Sequence, residues 1–183
     1  DLIRYHISSP EYVHKIPLGL ELEKFRQFDP SVRKQLRQEW QVPEQAVLVG
    51  MIARMVPIKR HEDLFQAIAQ VLQEHPDTYF AVVGDGERGE ELRALAQELG
   101  ITHRVIFTGF RSDTERVYQA LDITVLTSGN EGLPVTVIES LSSGKPVVAT
   151  RVGGVPELIE DGITGYIVEP YEPDSIAEGL KKA

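Results

Sequence analysis

Three features of the 183-residue chain predict an α/β sandwich with a parallel sheet. From Ala46 onward, short β-branched runs alternate with amphipathic stretches, the pattern of repeated strand-helix units. The helical stretches carry their own stops, such as Pro76 and Gly100, because proline cannot continue a helix and glycine accepts the left-handed C-terminal cap. A hydrophobic content of 42% lets a chain of this length bury roughly 70% of its unfolded surface, enough for one core.

The elements follow in order. Residues 1–29 read as a connecting segment, with a short strand from Val13 to Ile16, a Pro17-Leu18-Gly19 turn and a stretch ending at Phe25. Residues 30–183 read as the domain proper. Asp29 before Pro30 and Ser31 marks a helix start running to about Trp40, since aspartate caps well and proline is tolerated at the first helical position. Trp40 shares that helix with Leu36 and is expected in the core, and Pro43 closes the segment. Strands are expected at Ala46 to Ala53, Thr78 to Val83, Val105 to Thr108, Ile123 to Leu126 and Pro146 to Thr150. Between them, Glu62 to Glu74 places Leu64, Phe65, Ile68 and Val71 at helical spacing. Glu90 to Leu99 does the same with Leu92, Leu95, Ala96 and Leu99. Asp113 is expected to cap a helix reaching Ala120, and Val135 to Ser143 reads as another. After the turn-rich Glu169 to Pro173, a last helix stops almost as it begins, at Ala183, so the chain is expected to be part of something longer.

Composition removes several classes. A net charge of -9 and a pI of about 5.1 argue against nucleic acid, whose phosphates need clustered Lys and Arg. There is no cysteine, so neither disulfides nor thiolate metal sites are available. No apolar run approaches the roughly 18 residues of a spanning helix, and Asp1-Leu2-Ile3-Arg4 does not read as a signal peptide. The expected compartment is the cytoplasm, with membrane contact only peripheral. The histidines show no metal-ligand spacing, and neither a nucleophile elbow nor a Walker motif occurs.

In an open parallel sheet, ligands bind outside the carboxyl ends of the strands. Arg54 and Lys59 follow the first strand, Gly84-Asp85-Gly86 the second, Gly109-Phe110-Arg111 the third, Thr127 to Glu131 the fourth, and Arg151 to Gly154 the fifth. All these segments fall on one edge, which favours a single cleft over scattered turns and solubility charges. Glu131 and Glu139 bracket the Gly132-Leu133-Pro134 turn ahead of a helix, whose N-terminal amides and dipole attract phosphate. Arginine grips two phosphate oxygens at once and lysine acts as a point charge, while a carboxylate can accept both hydroxyls of a ribose. A diphosphate with sugars on both sides, a nucleotide sugar, suits the whole set. Each feature also has a plainer reading: solvated loop charges for Arg54 and Lys59, dipole complementation for Glu139, and turns of positive φ for the glycines. His61, first in its helix, is expected at the surface, within reach of a phosphate.

Taken in order, these residues resemble the C-terminal, donor-binding half of the retaining GT-B glycosyltransferases of group 1, also called family four. The resemblance is carried by Arg54 with Lys59, by Val83-Gly84-Asp85-Gly86, and by Glu131-Gly132-Leu133-Pro134 followed after seven intervening residues by Glu139. Gly144-Lys145-Pro146-Val147-Val148-Ala149-Thr150, Gly153-Gly154-Val155-Pro156-Glu157 and Asp161-Gly162 with Gly165-Tyr166 continue it. The chain departs at Ile16 to Glu21, where the family often has Pro-Asn-Gly-Val-Asp, and at Ala53, where glycine is common.

The resemblance implies a Rossmann-like three-layer sandwich, half of a GT-B fold. It implies that Arg54 and Lys59 hold the donor diphosphate, Glu139 the ribose and Glu131 the hydroxyls of the transferred sugar. Gly84, Asp85, Gly86, Phe110, Arg111, Gly132, Leu133 and Pro134 would complete the donor site. No cofactor or metal is expected, only a UDP-sugar or GDP-sugar as donor. A missing N-terminal acceptor domain would be needed for transfer to a polysaccharide, lipid or small molecule, so the fragment alone is expected to bind donor without appreciable transfer. A noncatalytic nucleotide-sugar-binding module and a GT-B nucleotide-sugar epimerase are the alternatives.

Overall fold

The computed structural model describes residues 4–14 and 19–183. Six strands form one parallel sheet in the order β3-β2-β1-β4-β5-β6, with β1 Leu48–Ile52, β2 Tyr79–Val83, β3 Val105–Gly109, β4 Ile123–Leu126, β5 Val147–Thr150 and β6 Gly165–Val168. Eight helices surround it: α1 Glu23–Arg26, α2 Pro30–Glu39, α3 His61–Glu74, α4 Gly89–Glu98, α5 Thr114–Ala120, α6 Val135–Ser142, α7 Val155–Leu158 and α8 Pro173–Lys182. The architecture is the expected Rossmann-like three-layer sandwich.

Alternation along the strands sorts the layers. Val49, Met51, Phe80, Val82, Val125 and Val148 face one side and pack with Leu64, Phe65 and Ile68 of α3, Leu92 of α4 and Ile176 of α8. The opposite side carries Leu48, Ala81 and Val83 under Leu36 of α2 and Val117 and Tyr118 of α5. Beside these, Leu126, Val147 and Ala149 pack with Val137 of α6 and Val155 of α7. Both faces are covered, which is why these strands read as apolar runs rather than alternating ones. Trp40 and Leu36 lie in the core as expected.

Several local expectations change. Val13 and His14 are not in a strand, and Lys15, Ile16, Pro17 and Leu18 fall outside the described residues. Leu22 to Arg26 instead turns as α1 and buries Phe25 against α5. β6 and α7 had no counterpart in the sequence reading, because Tyr166-Ile167-Val168 is a very short apolar run and Pro156 interrupts the other. Asp113 occupies the N-cap position of α5 without a side-chain cap, since its carboxylate is taken by Arg111 and Arg116. His61 is fully buried, not at the surface. Among the described residues, no helix is long and apolar enough to cross a membrane.

Candidate functional site

The strand order reverses between β1 and β4, so the loops after these two strands flank the crevice where open parallel sheets bind ligands. After β1, Ala53 and Arg54 lead through Met55 to a 3-10 turn, Pro57–Lys59. The Met55 amide donates to the Asp85 carbonyl at 2.9 Å and the Arg88 amide to the Met55 carbonyl at 3.1 Å, lacing this loop to the one after β2. Gly84 lies at φ +141°, and a Cβ there would overlap the Ala53 carbonyl. The close approach this glycine permits is therefore to the neighbouring loop, and the turn reading explains it without a ligand.

Arg54 lines a cleft of about 220 Å³ together with Val83, Gly84, Asp85, Phe110 and Arg111. It is exposed, and no described residue gives it an ion pair. Phe110 stands on the rim at 76% exposure. Arg111 turns its guanidinium away to saturated partners, both oxygens of Asp113 at 2.8 Å and Glu39 Oε1 at 2.7 Å. Its hydrogen bonds to Asp113 hold that carboxyl below the ordinary range, against an opposing push from burial.

The loop after β4 is fastened to the loop after β1. Thr127 Oγ1 lies 3.0 Å from the carbonyls of both Lys59 and Arg60, and the Gly129 amide donates to the Ile58 carbonyl at 2.8 Å. Lys59 Nζ donates to Glu131 Oε1 at 2.6 Å, with the Glu131 side chain 11% exposed. Thus Lys59 and Glu131, 72 residues apart in sequence, meet across the crevice. From the other flank the loop after β5 closes in: Gly153, at φ +50°, has no room for a Cβ against the Glu131 carbonyl, and the Gly154 amide donates to the Gly132 carbonyl at 2.7 Å.

Arg60, at φ 54° and ψ 46°, is left-handed, a conformation that costs a residue other than glycine roughly 1 to 2 kcal/mol. Its guanidinium grips Asp63 and Glu62 and stacks on Tyr171, 4.9 Å from the ring centroid. These contacts offset the strain and set where α3 begins. Beneath them His61 has neither ring nitrogen hydrogen-bonded. Burial, opposed by Glu62 and reinforced by Arg88 and Lys59, lowers its pKa to about 4, so the imidazole is neutral at pH 7.

The start of α6 completes the site. Pro134 occupies the N-cap position with no capping side chain, which leaves the first amides available to an acceptor from outside. Glu139, in the second turn, receives the Tyr118 hydroxyl on Oε2 at 3.1 Å. Burial raises its pKa, partly countered by that hydrogen bond. The structure thus brings together Lys59 with Glu131, and Arg54 with Gly84, Asp85 and Phe110. It commits Arg111 elsewhere and places Glu139 beside Tyr118, a residue that sequence reasoning passed over because an apolar-flanked tyrosine on a short helix reads as core.

A sequence profile of the family "Glycosyl transferases group 1" matches residues 32–183. The D-inositol 3-phosphate glycosyltransferase of Corynebacterium jeikeium is 31% identical over 191 residues, which take in 100% of this chain and 46% of that protein. A GDP-mannose-dependent alpha-(1-6)-phosphatidylinositol monomannoside mannosyltransferase of Mycolicibacterium smegmatis is 33% identical over 90% of this chain and 45% of its own length. HepE of Anabaena, crystallised with UDP-glucose, superposes with a TM-score of 0.82 at 32% identity, covering 89% of this chain and 45% of that one. The chain spans less than half the length of these curated relatives.

Proposed function

We propose, given that the chain belongs to the group 1 glycosyl transferases, that residues 30–183 form the donor-binding domain of a retaining GT-B enzyme. In this reading the enzyme moves a sugar from a nucleotide-diphosphate sugar to an acceptor held by a second domain. The observation that carries it is the meeting of Lys59 and Glu131 at the reversal of strand order, with Arg54 in the adjoining cleft and given no ion pair by any described residue. Arg54 on the cleft, Lys59 beside Glu131 and a helix start without a capping side chain are the groups that would receive negative charge in this reading.

The proposed roles follow from charge and valence. Arg54 and Lys59 hold the diphosphate, with Gly132, Leu133 and Pro134 presenting the α6 terminus. Glu139 takes the ribose hydroxyls, and Glu131, fixed by Lys59, takes hydroxyls of the sugar. Gly84, Asp85, Gly86 and Phe110 shape the wall for the rest of the nucleotide. Arg111 contributes by stiffening that wall from behind, since its donors are spent on Asp113 and Glu39. As the bond to the diphosphate breaks, charge grows on the departing oxygens, and fixed cations stabilise it without reorganising. That charge needs no metal in this account, and the departing phosphate can itself take the acceptor's proton on the same face. HepE was crystallised with UDP-glucose and the mycobacterial relative is named for GDP-mannose, so both bases stay in the donor class. A cytoplasmic enzyme that reaches membranes only peripherally fits the acidic, cysteine-free chain. A bare nucleotide-binding module would need the Glu131 carboxylate only as the partner of Lys59, whereas a sugar donor also gives it hydroxyls to accept.

Calorimetric titration with UDP-, GDP- and ADP-sugars tests the site. One of them should bind the parent, and Arg54→Ala, Lys59→Ala and Glu139→Ala should each weaken it. Equal binding by all three variants would remove the cleft from the account. In a protein that includes the acceptor domain, loss of Arg54 or Lys59 should raise the transfer barrier by roughly 2.7 to 4 kcal/mol if each acts like one oxyanion donor.

A further inference from the structure

Tyr118 lies on α5 one turn beyond Thr114, which lines the cleft, and it is fully buried. Phe25 of α1 packs edge-on against its ring, with centroids 5.7 Å apart and planes at 73°. The hydroxyl therefore reaches α6 at a fixed point, where it meets the Thr136 carbonyl at 3.0 Å and Glu139 Oε2 at 3.1 Å. A phenol has one proton, so these acceptors share it. The void beside the ring, bounded by Gly50, Thr124 and Val137, is only about 10 Å³, at the lower limit for a single water. No ligand enters there, and the phenol is the wall against which Glu139 rests.

We propose that Tyr118 is the positioning residue for Glu139: its phenol holds Oε2 in place and leaves Oε1 directed at the hydroxyls of a bound nucleoside. This rests on the reading of Glu139 as the ribose group. A half-buried carboxylate needs such a donor. Burial raises the Glu139 pKa, and the groups facing it are the Tyr118 hydroxyl and the Lys24 ammonium, which lower it, and Glu115, which raises it. Lys24 on α1 and Glu115 on α5 lie 3.7 Å apart and act in opposite directions, each less than the hydrogen bond from the phenol, so the phenol is the neighbour whose loss is felt. Burial and Glu139 push the phenol's own pKa far up, and it stays a donor at every pH where the protein works. Without it Glu139 would take up a proton more readily, and a protonated carboxyl accepts a diol less well.

The test combines Tyr118→Phe, Glu139→Gln and the double variant. UDP and GDP are titrated by calorimetry across a series of pH values, because a carboxyl raised by burial gains its proton at higher pH than an exposed one. The Glu139 carboxyl is followed by carbon-detected NMR in the ligand-free protein. Tyr118→Phe should weaken the tighter-binding nucleotide by about tenfold, should add little in the Glu139→Gln background, and should move the Glu139 titration to higher pH. Phe25→Leu, which keeps the hydroxyl but loosens the wall behind the ring, should shift both readouts in the same direction by less, and it serves if Tyr118→Phe folds poorly. Equal losses in both backgrounds with an unmoved titration would overturn the proposal while leaving the ribose reading intact. Unchanged binding by Glu139→Gln would instead sink the ribose reading, and the ligand role of Tyr118 with it.

Discussion

Two clusters of charge sit at opposite edges of the same sheet, and they use their hydrogen-bonding capacity differently. At the amino edge, Arg37 is buried to 1% exposure and donates to the carbonyls of Ala120, Pro43, Glu44 and Ala46 and to Asp122. Arg33 covers the Gln119, Ala120 and Leu121 carbonyls and the other Asp122 oxygen, and the Leu48 amide donates to Asp122 as well. Burial alone would raise the Asp122 pKa, but the Leu48 amide and the two arginines outweigh it and hold the carboxyl below its ordinary value. At the carboxyl edge, Arg54 has no ion pair with a described residue, Lys59 has Glu131, and α6 begins without a cap. Charge that is spent inside the chain ties β1 to β4 and α2. Charge that is left over is, in the proposed reading, where a ligand completes the structure.

If that contrast holds, stability and binding should break separately. The largest effect is expected for Arg37→Met, which removes one of the two arginines on Asp122 and leaves several carbonyls without that donor. It should cost about 3 to 5 kcal/mol in chemical denaturation, with nucleotide affinity kept wherever the variant is folded. Arg54→Ala should do the reverse. Loss of a charge-assisted hydrogen bond to phosphate is worth about 1.5 to 3 kcal/mol, read as a tenfold or greater fall in calorimetric affinity, while unfolding stays within about 0.5 kcal/mol of the parent.

His61 sharpens the comparison through pH. Its folded pKa of about 4 lies below the ordinary 6.5, so the unfolded chain binds the extra proton between those values. Folding is therefore favoured more as pH rises through that window and loses stability as pH falls through it. Between pH 7.5 and 5 the parent should lose about 2 kcal/mol more than His61→Leu, measured as urea midpoints at each pH. The Asp122 contribution has the same sign, because its folded pKa is lowered too, and it is lost only in stronger acid, as pH falls below its ordinary 3.8. The smallest effect is expected for Arg151→Ala. Arg151 also sits in a carboxyl-edge loop, but it pairs at 2.9 Å with Glu169 where both side chains are half exposed. Such a pair contributes roughly 0 to 1 kcal/mol, and neither unfolding nor nucleotide titration should move beyond that.

The layered fold and the edge carrying the candidate site were legible because both rest on local pattern. Ile123 to Leu126 is a strand with the expected ends, and α3 begins one residue before the expected Glu62. What stayed hidden depends on distant partners. Nothing in Lys59-Arg60-His61 announces a left-handed arginine, since no glycine stands there and the compensating Tyr171 lies far along the chain. His61 looked like a surface residue because nothing in the local pattern announces its complete burial. Arg111 was expected in the donor site, and its pairing with Glu39, 72 residues earlier, could not be read from the sequence. Lys59 and Glu131 were each expected at the same edge, but only the fold makes them a pair.

The central claim is that unspent donors at the carboxyl edge receive a nucleoside diphosphate. Amide chemical-shift mapping with UDP and GDP tests it directly, by asking which backbone groups sense the ligand. The account predicts that the largest shifts fall at Arg54, Gly84 to Gly86, Gly132, Leu133 and Val135, and that they vanish in Arg54→Ala at the same nucleotide concentration. Shifts concentrated around Pro43 to Val47 and Asp122, at the amino edge, would contradict it.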